Sequence, residues 1–242
     1  MEYLNRACIE GISSDAFRTT QPYPWVNATG TLLPEAFETL RQTLPDASTF
    51  IKHENKKRGY GQAPHNRYIL HYLPGMQLAK PWQEFVGELL HGDTYQSFLR
   101  RMLGPHKFIL TLEWYYAWHG CSVSPHCDAK RKLATHIFYF NTEKDWQPDW
   151  GGKILMLDDD KKWKAHSAPG FDELRVAASL NPWGNASLFF QRTPHSWHGV
   201  RPLECPPDTL RKLFIVTVNV PTFQVWWRGV RGKDPDGYRL SQ

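Results

Sequence analysis

Alternation of apolar and polar residues dominates the second half of the chain. Between Phe108 and Trp118, apolar side chains recur at every second position, which is the pattern of a half-buried β-strand. Further short apolar runs follow at 133–140, 153–157, 187–190 and 211–218. Glycine and proline clusters separate these runs. The pattern predicts a mainly β fold, an antiparallel double-sheet barrel or jelly roll, at about residues 105–220.

A different spacing predicts helices in the first half of the chain. Apolar residues recur at helical intervals in three segments, 34–44, 81–90 and 93–103. Pro34 suits a first helical turn, Asp93 is the expected N-cap of its helix, and Gly104 is the expected stop. We expect these supporting α-helices, mainly in 30–104, to pack outside the barrel of a single domain over residues 1–242.

Composition narrows the class of protein. The chain has 242 residues, of which 41% are hydrophobic and 14% aromatic, enough for a sizeable core. It contains no run approaching the ~20 apolar residues that cross a bilayer, and its first residues lack an apolar signal core. The four cysteines have no C-x-x-C spacing, so we expect reduced thiols and not a disulfide framework or zinc knuckle. These features predict a cytoplasmic protein without a membrane partner.

The candidate chemistry begins at His126 and Asp128. In an extended segment, side chains two positions apart project to the same face, so both can bind one ion. His198, in the run 193–200, supplies a second imidazole from another predicted strand. Two imidazoles and one carboxylate form the ligand set of mononuclear non-haem iron sites, which leave coordination positions open. His195 lies in the same run and is the alternative to His198.

The order of several short blocks resembles the prolyl-hydroxylase-like branch of the Fe(II)/2-oxoglutarate-dependent dioxygenases, from Trp114 to Val218. The blocks that carry the resemblance, besides the three metal-binding candidates, are Tyr116, Phe138–Asn141, Asp145–Trp146, Gly151–Leu155, Leu188–Phe190, His198–Val200 and Arg211. The resemblance implies a double-stranded β-helix (jelly-roll) core that binds Fe(II), with 2-oxoglutarate and O₂ as cosubstrates. It also implies that the three metal-binding candidates form the catalytic centre of a hydroxylase acting on an unactivated C–H bond.

The resemblance further implies where the cosubstrate binds. Arg211 corresponds to the basic residue that pairs with the distal carboxylate of 2-oxoglutarate, and a guanidinium suits that task because its fork donates two parallel hydrogen bonds. Tyr139 and Tyr116 correspond to tyrosines near the cosubstrate. The connection that precedes Arg211 is longer than in the family, which leaves Lys212 as the substitute.

The substrate is less constrained by the sequence. The net charge is +5, and Lys130–Lys132 follows the metal-binding candidates closely, which favours an anionic or amino-acid-like small molecule. A protein or peptidyl-prolyl substrate is the alternative, and a non-catalytic cupin-like metal-binding module is a second one. No nucleic-acid-binding module accompanies the basic residues. The polar segment 52–62 predicts a surface loop or a mobile lid over the substrate.

Overall fold

The structure of the protein is a computed structural model that describes residues 1–221 and Trp227. Five α-helices lie in this part of the chain: α1 Arg6–Gly11, α2 Ser14–Thr19, α3 Pro34–Gln42, α4 Lys80–His91 and α5 Asp93–Leu103. The β-strands of the same residues are β1 Trp25–Thr29, β2 Ile51–His53, β3 Arg67–His71, β4 Ile109–Ala117, β5 Val123–His126, β6 Lys132–Tyr139, β7 Ile154–Asp158, β8 Arg175–Leu180, β9 Ala186–Gln191, β10 Trp197–Val200 and β11 Arg211–Asn219.

Two antiparallel sheets form the core. The larger has the strand order β1-β9-β6-β11-β4-β3-β2, and the smaller has the order β5-β10-β7-β8. One apolar cluster joins Ile137 and Leu213 of the larger sheet to Met156 and Val200 of the smaller one, so the two inner faces pack on each other. This arrangement confirms the predicted β-rich jelly roll with supporting helices. It also adds β1, β2 and β3, which the sequence patterns before residue 105 did not predict.

The outer face of the larger sheet carries the helices. Trp82 of α4 is fully buried, and its ring lies 5.1 Å from Trp114 of β4 and 5.0 Å from Phe214 of β11. On β11, Phe214 and Val216 belong to this helix-facing cluster, whereas Leu213 belongs to the cluster between the sheets. Both faces of the sheet are therefore apolar, and burial of these faces stabilises the two layers at once.

The helix ends agree with the sequence except at one cap. Pro34 is the first residue of α3, and Gly104 ends α5 with φ +93°, a left-handed conformation that favours glycine. We predicted Asp93 as the N-cap of α5, but Asp93 is the first helical residue. Gly92 is the N-cap, and it makes no side-chain hydrogen bond. A carboxylate in the first turn still interacts favourably with the helix dipole. No helix of the described residues has the length and apolar character needed to cross a membrane.

Candidate active site

Two neighbouring strands of the smaller sheet bring the three metal-binding candidates together. His126 ends β5 and lies directly opposite His198 of β10 in the strand register. Asp128 follows two residues later, and its Oδ1 lies 4.0 Å from Nε2 of His126. The ligand atoms of all three residues lie within 4.8 Å of one another. Gly199 permits this close pairing, because a Cβ at that position would stand 2.8 Å from the carbonyl oxygen of Val123.

The two imidazoles are oriented by backbone carbonyl groups. Nδ1 of His126 donates to the carbonyl oxygen of Ser124 at 3.0 Å, and Nδ1 of His198 donates to that of Ser196 at 3.0 Å. A carbonyl oxygen only accepts, so Nδ1 carries the proton and the lone pair of the neutral ring is on Nε2. Burial, the largest cause, lowers the pKa of both imidazoles, which favours the neutral form that binds a metal.

Asp128 is held in its ionised form. Its Oδ2 accepts a hydrogen bond from Oγ1 of Thr135 at 2.8 Å, and its Oδ1 accepts one from Nζ of Lys132 at 3.0 Å. Burial alone would raise the pKa of this carboxyl, but the adjacent Lys132 ammonium lowers that pKa well below its usual range. Each carboxylate oxygen has two acceptor sites, so Oδ1 can bind a metal while Lys132 remains in contact.

This donor set fits a catalytic metal ion. It offers two imidazole nitrogens and one carboxylate oxygen on one side, which is the arrangement of non-haem Fe(II) oxygenases and leaves positions for ligands. Cys127 lies between two of the donors but adds no thiolate, because its Sγ donates to the carbonyl oxygen of Pro194 at 3.5 Å. Burial also raises the pKa of this thiol. A closed structural zinc site, with four protein ligands, is therefore a poor fit.

A cavity of about 570 Å³ lies between the two sheets, and both the metal-binding candidates and Arg211 line it. Arg211 is only 3% exposed, and its Nε and Nη2 have no hydrogen-bond partner among the described residues. Its guanidinium faces the ring of Tyr139 at 5.7 Å, and the hydroxyl of Tyr139 is likewise without a partner there. Burial lowers the pKa of Arg211, so a carboxylate would relieve an uncompensated charge.

Gly152 makes room for this arginine. A Cβ at Gly152 would stand 3.0 Å from both Cδ and Nε of Arg211. The glycine also has φ +85°, so any other residue would be strained in addition to crowding the guanidinium. The predicted Gly151-Gly152 block thus contributes space for the arginine, not a ligand.

Arg211, and not Lys212, reaches the cavity. The register of β11 against β4 pairs Arg211 with Ala117 and Lys212 with Tyr116, which places Lys212 and Tyr116 on the helix-facing side. The longer connection after His198 therefore does not shift the strand.

The prediction for Tyr116 is wrong for the same geometric reason. Its hydroxyl donates to the carbonyl oxygen of Pro45 at 3.0 Å, and its ring stacks on Phe50 at 4.3 Å, away from the cavity. Tyr115, one residue earlier, lines the cavity instead. His195 does not join the metal-binding candidates either, because its Nδ1 lies 2.9 Å from Oδ2 of Asp159.

Other residues of the cavity were not predicted. His65 lies with its ring 4.9 Å from that of His126, and its Nε2 is 3.0 Å from Oγ of Ser124. Burial lowers the pKa of His65 to about 2, so this imidazole is neutral. Arg67, at the start of β3, also lines the cavity. Neither residue belongs to a sequence motif, but Thr135 has the same strand parity as Tyr139 and could have been found from the alternation of β6.

Comparison with known proteins agrees with this geometry. A family model for the 2OG-Fe(II) oxygenase superfamily matches residues 112–219, which include the three metal-binding candidates and Arg211. A search of curated proteins finds no match to the chain by sequence.

Solved structures share the fold at low sequence identity. A Pseudomonas putida prolyl-4-hydroxylase is 16% identical with a TM-score of 0.61, over 90% of this chain and 99% of its own. A Trichoplax adhaerens prolyl hydroxylase, solved with a hypoxia-inducible-factor peptide fragment, is 14% identical with a TM-score of 0.58, over 89% and 90% of the two chains. A non-haem α-ketoglutarate-dependent carbocyclase from nogalamycin biosynthesis is 12% identical with a TM-score of 0.60, over 97% and 96%. The chain thus has the fold of the prolyl hydroxylases, and its residues 112–219 match the 2OG-Fe(II) oxygenase superfamily, whose enzymes use Fe(II), 2-oxoglutarate and O₂.

Proposed function

We propose that the protein hydroxylates an unactivated C–H bond of a small molecule, with His126, Asp128 and His198 as the Fe(II) ligands. The observation that carries this proposal is the shared cavity. The same cavity is lined by His126, Asp128 and His198, which could hold a metal ion, and by the buried guanidinium of Arg211, whose Nε and Nη2 have no hydrogen-bond partner among the described residues. A metal-binding module without catalysis would have no use for such a carboxylate clamp.

The side chains have separable roles in this reaction. Bound Fe(II), with 2-oxoglutarate and O₂, supplies the oxidant that inserts one oxygen atom into the C–H bond, while 2-oxoglutarate becomes succinate and CO₂ with the other oxygen atom. Arg211 orients 2-oxoglutarate by its distal carboxylate, and the free hydroxyl of Tyr139 is placed to donate to the same group. The carbonyl groups of Ser124 and Ser196 fix the two imidazoles. Apolar side chains such as Ile215 and Leu213 limit water around the cosubstrate.

The form of the cavity supports a small substrate. Tyr60 stacks on His166 at 4.6 Å, and Nε2 of Gln62 donates to the carbonyl oxygen of Ser167 at 3.3 Å. Both segments contribute to the cavity wall, so their contacts narrow the opening that an extended peptide would need. In this proposal segment 52–62 is therefore part of the substrate site, which is the lid alternative of the sequence prediction for this segment. We place the reaction in the cytoplasm, as the cysteine spacing predicts.

A peptidyl-prolyl substrate is the second candidate. It is supported by the fold shared with the Trichoplax prolyl hydroxylase, which was solved with a peptide fragment. The two candidates differ in which compounds stimulate turnover of 2-oxoglutarate.

The test combines anaerobic binding with turnover. Protein loaded with Fe(II) should bind 2-oxoglutarate without O₂, and admission of O₂ should release succinate faster when the substrate is present. A panel of metabolites and proline-containing peptides would be compared by succinate release and by mass of the product. Stimulation by a small molecule with a gain of one oxygen atom supports the proposal. Stimulation by peptides alone would transfer the assignment to the second candidate, and absence of 2-oxoglutarate binding would refute both.

A further inference from the structure

The wall of the cavity carries an excess of positive charge. Among the residues that the structure describes, six basic and two acidic side chains line it. Of the acidic ones, Asp128 belongs to the metal-binding group and Glu113 lies 3.3 Å from Nδ1 of His71. Bound Fe(II) and the 2-oxoglutarate dianion would cancel each other, so they leave this excess unchanged. Such a lining attracts a further anion.

Two of the six cations already have a role. Arg211 is assigned to the distal carboxylate of 2-oxoglutarate, and Lys132 donates to Asp128. The remaining ones are Lys57, Arg58, Arg67 and Lys130. Lys57 and Lys130 are exposed, whereas the two arginines are partly buried. A partly buried guanidinium loses more hydration than an exposed ammonium, so the arginines determine the preference for an anion.

Arg67 is held in place by neutral groups. Its Nη1 donates to the carbonyl oxygen of His65 at 2.9 Å, and its guanidinium faces the ring of Tyr115 at 5.7 Å. In the part of the chain that the structure describes, no carboxylate forms an ion pair with Arg67. A guanidinium has five N–H donors, so most of those of Arg67 remain for a ligand. The position is fixed while the charge is uncompensated.

Arg67 and Arg211 form two separate anion positions. They lie on β3 and β11, which flank β4, and the ring of Tyr115 from β4 is close to both charges. Each guanidinium faces its own tyrosine ring, Tyr115 for Arg67 and Tyr139 for Arg211, at 5.7 Å in both cases. Because the two guanidinium groups face different rings, we assign the distal carboxylate of 2-oxoglutarate to Arg211 and leave Arg67 for another anion.

Arg58 reinforces the same side of the cavity. Its Nε and Nη2 lie 3.3 and 3.2 Å from Oε1 of Gln62, whose amide nitrogen in turn donates to Ser167. These hydrogen bonds connect Arg58, through Gln62, to Ser167 on the other side of the narrowed opening.

We propose that the substrate of this oxygenase is a small carboxylic acid whose carboxylate binds to Arg67, with Arg58 as the neighbouring cation. The inference rests on the proposed function, since it needs 2-oxoglutarate to occupy Arg211. One feature defines the substrate class. The substrate has a carboxylate that binds beside Tyr115, while another part of the molecule faces the metal. A planar guanidinium matches a carboxylate through two parallel hydrogen bonds, which an ammonium cannot provide.

The experiment detects a carboxylate beside the metal. Protein loaded with Mn(II) and saturated with 2-oxoglutarate under nitrogen is mixed with trifluoroacetate or with trifluoroacetamide, and fluorine NMR relaxation is measured. We expect the paramagnetic ion to enhance relaxation of the anion and not of the neutral amide. Arg67→Gln should weaken trifluoroacetate binding by about 10- to 100-fold, the effect of losing a charge-assisted contact. Arg67→Lys should lie between the two, because it keeps the charge without the fork.

A matched control removes the same charge elsewhere. Arg6 lies on α1 and pairs with Glu10 on the surface, so Arg6→Gln should leave the fluorine relaxation unchanged. Equal relaxation in wild type and Arg67→Gln, or no relaxation of trifluoroacetate in wild type, would overturn the substrate assignment while leaving the proposed function intact. Weaker 2-oxoglutarate binding in Arg67→Gln would overturn the substrate assignment as well, because Arg67 would then bind the cosubstrate. Failure of the wild type to bind Mn(II) and 2-oxoglutarate would refute the proposed function and this inference with it.

Discussion

Replacement of Arg211 by glutamine should separate metal binding from cosubstrate binding. Arg211 is 3% exposed, and two of its nitrogen atoms have no partner among the described residues. Each hydrogen bond between charged groups contributes about 1.5–3 kcal/mol, and loss of one member of a buried charge pair costs about 2–5 kcal/mol. For two such bonds these estimates overlap at about 3–5 kcal/mol, which is the expected loss of binding free energy for 2-oxoglutarate. Since 1.4 kcal/mol is a factor of ten, the Kd for 2-oxoglutarate should rise by about 100- to 4,000-fold.

Anaerobic calorimetry with Mn(II)-loaded protein measures this change directly. The ligand can be truncated as well as the protein, because 2-oxopentanoate carries a methyl group where 2-oxoglutarate has its distal carboxylate. Wild type should bind 2-oxoglutarate far more tightly than 2-oxopentanoate, and Arg211→Gln should lose that preference. Lys212→Gln is the matched control, since Lys212 lies next in sequence but on the other face of β11.

Two results would refute the reasoning. Unchanged 2-oxoglutarate affinity in Arg211→Gln, with the preference over 2-oxopentanoate retained, would show that the buried guanidinium does not contact the distal carboxylate. An equal loss in Lys212→Gln would show that the register of β11 is not the one described. Retained Mn(II) affinity in both variants is needed for either comparison.

Further predictions concern the metal, the core and pH. His126→Ala or Asp128→Ala should abolish Fe(II)-dependent succinate release and retain the far-ultraviolet circular dichroism spectrum, whereas His195→Ala should keep the activity. Trp82→Ala should lower the free energy of unfolding by about 3–5 kcal/mol in urea titration, because it empties the space between helices and sheet. Burial lowers the pKa of His136 to about 3, below the ~6.5 of an unfolded chain, so the unfolded state binds more protons and stability should fall with pH below about 6.5. In metal-free protein, His136→Gln should reduce that slope by about 1.4 kcal/mol per pH unit between pH 6 and 4, and an unchanged slope would contradict the buried neutral imidazole.

The jelly roll and the metal-binding group could be predicted because each depends on local patterns. Alternation of apolar and polar side chains along β4, β6 and β11 predicted these strands. The H-x-D spacing predicted that His126 and Asp128 lie on one face without any tertiary information. The opposite pairing of His126 and His198 is a tertiary feature, but only a second imidazole from a neighbouring strand could complete the ligand set. The ligand roles themselves stay predictions for the metal-binding variants to test.

Residues from the first half of the chain were harder to place. Arg67 and His65 reach the cavity because β3 pairs with β4 in the larger sheet, and their local sequence gives no sign of that pairing. The strand β3 is only five residues long and follows a polar loop, so its alternation is too short to be distinctive. The sequence also identified only part of the basic lining of the cavity. Lys130 and Lys132 line it, as expected from their proximity to Asp128, but Arg58 and Arg67 come from a distant segment that was not predicted to contribute cations.

The error at Tyr116 shows how strand parity connects the fold to the chemistry. On β11, Arg211 faces the cavity while Phe214 faces the helices, where Trp82 and Trp114 pack around its ring. A slip of one residue would move every side chain to the opposite face. It would bury the guanidinium of Arg211 among aromatic rings and expose Phe214 in a polar cavity, and both changes are unfavourable. The apolar layer under the helices therefore fixes the register that brings Arg211, and not Lys212, to the cavity.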